Sequence, residues 1–191
     1  MSDVAVTLDN CIGLLDNEEK EIKNRAREII SFESSNFINK VRFYRSVYGI
    51  VSGEKEIEIS YVCKIIGNYV AKKKISLEID IRNGLSYLDG FLGRISIILF
   101  TIAIDAMSSV GKILFIVETV KKKDIIQIIC NSNSDIKHSK FYRNFKFSSQ
   151  EKITIYNCRE IFIQEIIDNF LPDYNINVKL LNNQNIHYII S

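Results

Sequence analysis

Covalent or metal chemistry needs imidazoles, thiols or carboxylates held close together, and this chain offers few. Its two histidines are His138 and His187. His138 lies in "NSNSDIKHSK", a polar stretch with no helical stripe, and His187 falls inside a terminal strand pattern. Cys11, Cys63, Cys130 and Cys158 lie far apart with no CxxC pair, which is not the clustered spacing of a structural zinc site. Without a signal peptide they read as reduced cytosolic thiols. Gly111-Lys112 resembles the end of a phosphate-binding loop, but Ala106 stands where its first glycine belongs. GxSxG and HExxH are absent as well. No glycine follows Gly111, and loops that cradle phosphates need glycine so that backbone N–H groups can approach closely. Asp105 closes an apolar helix and reads as a cap or salt-bridge partner. Lys72 to Lys74 and Lys121 to Lys123 read as a solvated helix end and a solvated turn.

The elements that would position these residues follow from composition and period. A length of 191 residues is enough for one domain or two small ones, and 47% hydrophobic with 25% charged residues is globular. A net charge of +2 announces no nucleic-acid partner. The most apolar run, Ile95 to Met107, is interrupted by Asp105 and is shorter than the roughly 20 residues that span a bilayer. A soluble protein is expected.

Val4, Leu8, Cys11, Ile12 and Leu15 recur at helical intervals from the very start of the chain. "DNEE" (Asp16 to Glu19) supplies a turn and an acidic start favourable to the helix dipole. Ile22, Ala26, Ile29, Phe37, Val41, Tyr44 and Tyr48 then keep helical spacing until Gly49 and Gly53. Residues 2–48 thus predict a helical hairpin with a long second arm. Its stripes need a further layer, and a second copy supplies the simplest one, a four-helix bundle. Ser60 is expected to cap the next helix, and "ISLEIDI" (Ile75 to Ile81) alternates as a half-buried strand. "FLGRISIILFTIAIDAM" is apolar nearly all round and predicts a buried helix. "KILFIVETVKKKDIIQIIC" and "NINVKLLNNQNIHYIIS" predict hairpins turning at Lys121 to Lys123 and Asn182 to Asn185, with the helix of "NCREIFIQEIIDNF" between them, stopped by Pro172. The fold class is α+β. A dimerising hairpin (1–52) precedes an α/β sandwich (55–191) with helices on one face of a mixed, mostly antiparallel sheet.

That order is the plan of a sensor histidine kinase, and three segments carry a closer likeness. "NKVRFYRSVYG" (Asn39 to Gly49) resembles the end of the second helix in the ChpT family of histidine phosphotransferases. "NCIGLLDNEE" (Asn10 to Glu19) is similar to that family's N-G-L-E-L-L-x-E-E. "RISIILFTIAIDAMSSVGKI" (Arg94 to Ile113) resembles its buried-helix segment, with departures at Ile98 and Ser109. In that register Ile98 stands where a kinase keeps the asparagine that grips ATP.

The resemblance implies a cytoplasmic homodimer with a degenerate, non-nucleotide-binding kinase-like domain and no cofactor of its own. It would relay phosphate from the receiver domain of a hybrid kinase to response regulators such as CtrA and CpdR, the receivers supplying Mg²⁺. The family's phosphate-carrying histidine begins a His-Asp pair, which the register places directly before Met1, so the chain is expected to start one or two residues late. Counting from that site, the resemblance implies a receiver-binding face of Asp3, Val6, Thr7 and Asn10, with Arg42 and Arg45 beside them, and no catalytic residue within the chain. The alternative is a non-enzymatic dimeric scaffold that binds receiver domains.

Overall fold

The computed structural model describes residues 2–48, 55–71, 73–107, 110–136 and 158–191, and the chain divides into two compact units, Met1–Val51 and Ser52–Ser191. The first holds α1 (Ser2–Gly13), a short 3-10 turn (Leu14–Asp16) and α2 (Lys20–Tyr48). The reversal is made by Asn17, whose N–H donates to Leu14 O (3.3 Å) and whose Oδ1 accepts from the Glu19 N–H (2.9 Å). Cys11 on α1 and Ala26 on α2 are buried, with Val4, Leu8 and Leu15 half-buried on the same stripe. Ile12 belongs to the other side, 57% exposed. It sits one residue, about 100°, round the helix from Cys11.

The second unit is built around α4 (Gly90–Ala106), buried almost without a break from Leu92 to Ala106. Asp89 caps it, its Oδ1 accepting from the N–H groups of Phe91 and Leu92 (2.8 and 3.2 Å). The hydroxyls of Ser96 and Thr101 cost nothing there, because each donates to a carbonyl one turn back (2.6 and 2.7 Å). A five-stranded sheet lies against this helix in the order β2-β4-β5-β7-β6. Its strands are β2 (Lys74–Ile81), β4 (Val110–Val120), β5 (Lys123–Ser132), β6 (Ile176–Asn182) and β7 (Asn185–Ile190). β2 runs parallel to β4, with α4 in the crossover between them, and the remaining pairings are antiparallel. Ile113, Phe115, Val117, Ile126, Ile128, Ile186, Tyr188 and Ile190 alternate into the core. The Phe100 and Phe115 rings meet edge to face at 6.2 Å, pinning α4 to β4. α3 (Ile59–Val70) and α5 (Cys158–Phe170) flank α4.

Both expected hairpins form. Lys121 and Lys122 make the first turn at φ of 52° and 68°, and Lys123 opens β5. The second reverses between Asn182 and Asn185, where Asn182 Oδ1 accepts from the Gln184 N–H (2.8 Å). Two short strands, β1 (Glu56–Glu58) and β3 (Tyr87–Asp89), pair into a separate ribbon. That ribbon corrects the expected cap at Ser60. The Ile59 N–H is already taken by Ser86 O (3.0 Å), so the helix starts at Ile59, and Ser60 Oγ donates to Glu58 instead (2.9 Å). Gly93 lets β1 approach α4, since a Cβ there would collide with the Ile57 side chain.

Candidate functional site

On α1, one uninterrupted helix, Asp3, Val6, Thr7 and Asn10 share one side at helical spacing. Val6 and Asn10 are exposed, while Thr7, one turn before Cys11 and so on nearly the same side as the buried stripe, is half-buried. Arg42 and Arg45 are exposed on α2, but they do not stand beside those four residues. The arms leave a common turn, α1 having 12 residues and α2 29. At about 1.5 Å per residue the last third of α2 therefore runs past the level of Ser2, and Arg42 lies roughly 10 Å beyond it. The candidate face is thus two patches along one axis. The distal patch is aromatic: Phe43 and Tyr44 meet edge to face at 5.6 Å, and Tyr44 stacks on Tyr48 at 6.0 Å.

The remaining candidates are scattered. His138, Ser109, Gly49, Gly53 and Lys72 lie outside the described residues. His187 is on β7, directly opposite Lys179 of β6. Gln127 donates its amide to Glu118 Oε1 (2.8 Å), so its oxygen faces His187 Nε2 (3.0 Å) and that nitrogen carries the proton. Burial, with the Lys179 charge second, pushes the His187 pKa down. The result is a neutral imidazole tied into a sheet. Asp105 is a salt-bridge partner, held by Arg159 Nη1 at 2.7 Å. Cys130 is buried and its thiol pushed up to about 12, which leaves it inert as a nucleophile. Among the described residues no cluster of His, Cys, Asp and Glu could hold a metal, and no helix is long and apolar enough to cross a membrane.

Two described positions bear on nucleotide. Ile98 is fully buried on α4 and offers no polar atom. The first turn of α5, where a helix dipole would welcome a phosphate, already carries the carboxylate of Glu160. That side chain is 1% exposed with neither oxygen hydrogen-bonded, and burial raises its pKa. Nothing in the residue spacing marks Glu160, which occupies an ordinary acidic first-turn position.

No family model and no curated protein matches the chain. Solved structures do. A bacterial phosphotransferase superposes with a TM-score of 0.79 over 99% of this chain and 88% of its own, at 12% identity. The fold is that of a bacterial phosphotransferase. The Acinetobacter baumannii histidine kinase AdeS matches over 99% of this chain and 92% of its own, with a TM-score of 0.50 and 14% identity. The mycobacterial sensor histidine kinase MprB matches over 71% and 93%, with 0.51 and 12%. Within this phosphotransferase fold the α1–α2 hairpin leads into a kinase-like sandwich that carries Ile98 and Glu160.

Proposed function

We propose that the chain is a phosphorelay protein of two-component signalling, a histidine phosphotransferase that exchanges phosphate with receiver domains. The observation that supports this reading is the likeness to a bacterial phosphotransferase over essentially the whole chain, hairpin included. A relay protein needs only one nucleophile on a rigid helix and a surface that docks the receiver. In the forward step an imidazole nitrogen attacks the phosphorus of the receiver's aspartyl phosphate. An N–P bond forms as the acyl phosphate P–O bond breaks, and the carboxylate leaves. The next receiver's aspartate reverses the exchange. Both receivers bring their own Mg²⁺ to offset charge on the phosphoryl oxygens, so the chain takes no cofactor.

In this reading the receiver docks on one face of α1. Asp3, Val6, Thr7 and Asn10 make up that face, and Arg42 and Arg45 reach the receiver from the overhanging end of α2. The two hairpins of a homodimer pack through the apolar residues that α1 leaves uncovered, among them Phe32, Phe37, Ile38 and Val41, 58%, 38%, 47% and 38% exposed in the single chain. One observation favours a second reading, a scaffold that binds receivers without accepting phosphate: His187, the histidine among the described residues, is fixed in a sheet. Titration with a hybrid-kinase receiver tests the docking face shared by both readings. Val6→Asp and Arg42→Glu should each weaken binding about tenfold or more, as loss of an interface anchor does. Unchanged binding in both variants would refute the face.

A further inference from the structure

β2 is an outer strand of the sheet, and among the described residues no strand pairs with its far side. Arg82, the next residue, donates its N–H to Val117 O of β4 at 2.9 Å. Residues of the same parity therefore turn their backbone groups toward β4, while Ile75, Leu77 and Ile79 present theirs to the open side. Eight residues long, β2 has no proline, glycine or bulge to protect its edge, and its charged residues all share one face. Its acidic side chains are each in an exposed ion pair: Glu78 with Lys112 (2.7 Å) and Asp80 with Arg82 (2.8 Å). On the other face, burial fades along the strand from Ile75 to Ile79 and Ile81, which are 40% and 39% exposed.

We propose that this edge pairs with β2 of a second copy, antiparallel and centred on Leu77. In that register Leu77 meets Leu77 and Ile75 meets Ile79, all residues whose backbone groups point outward, so each pair exchanges mutual N–H···O bonds. On the opposite face Lys74 lies across from Asp80 twice by symmetry, and Ser76 from Glu78. Lys74 has no ion pair among the described residues of the single chain, and the second copy supplies one. Centring one pair further along, on Glu78, would set Glu78 against itself, which charge disfavours. The contact is isologous and joins two sheets into one.

The test uses the full chain carrying Phe32→Asp, which removes association through the hairpin. Sedimentation equilibrium should show dimers that weaken about tenfold with Lys74→Glu or with Asp80→Lys, each of which sets like charges opposite one another, and that recover when both are present. Leu77→Cys, combined with Cys158→Ser, should form a disulfide between copies on mild oxidation. Dimers indifferent to both charge changes would overturn the proposal. So would a strictly monomeric chain, including one whose edge instead takes an extended segment of another protein.

Discussion

Glu160 is a carboxylate in an environment at odds with its chemistry. Its carboxyl group is buried with no hydrogen-bond partner among the described residues, and burial raises its pKa. A folded pKa above the unfolded one means that stability is highest when the group is protonated and falls as pH rises through the folded value. Glu160→Gln should therefore stabilise the protein at pH 7 and above by about 1–3 kcal/mol, the scale of an unpaired buried group. The gain should fade below about pH 4.5, where the native side chain is neutral in both states. Chemical denaturation at pH 4 and pH 8 measures this, and an equal effect at the two pH values would contradict it. At this scale the sequence is mute about burial. Asp105 could be read as a salt-bridge partner because it ends an apolar helix, whereas Glu160 has the type and position of any solvent-facing first-turn acid.

Elements were more legible than residues. The alternation of β2 and the turns of the two hairpins are local properties, and they stand where side-chain period puts them. Three-residue strands such as β1 and β3 are too short to show a period, so the ribbon that sets the start of α3 went unread. Spacing along a helix also says nothing about axial level. Arg42 and Arg45 share a face with each other, yet the short α1 cannot reach them. Phe37, Ile38 and Val41 on that overhanging part of α2 are exposed in the single chain, and the proposed dimer would cover them. Light scattering should give dimers or larger assemblies for the natural chain at micromolar concentration, because the hairpin and the β2 edge are separate contacts. Phe32→Asp should weaken that association at least about tenfold, as charge at a packed anchor does. A monodisperse natural monomer would remove the bundle.

Across the whole molecule, the order of hairpin and sandwich was visible in the change from helical to alternating period. Its likeness to a phosphotransferase extends over nearly the full chain. That the sandwich binds no nucleotide is an expectation from Ile98 and the lack of glycine after Gly111, residue types that phosphate cradles depend on more than on long-range contacts. Millimolar ATP with Mg²⁺ should leave the melting temperature unchanged. A ligand held by the folded state at a hundredfold over its Kd would add about 2.7 kcal/mol, a shift of several degrees that would be plain in a melt.

Phosphoryl transfer from a radiolabelled receiver tests the central claim most directly, using the chain of 191 residues beside one extended upstream by a His-Asp pair. The chain as written should bind the receiver and stay unlabelled, while the extended chain should gain an acid-labile, alkali-stable phosphate that His→Ala at the added position abolishes. Labelling of the unextended chain on His138 or His187, or no labelling of the extended one, would contradict the account.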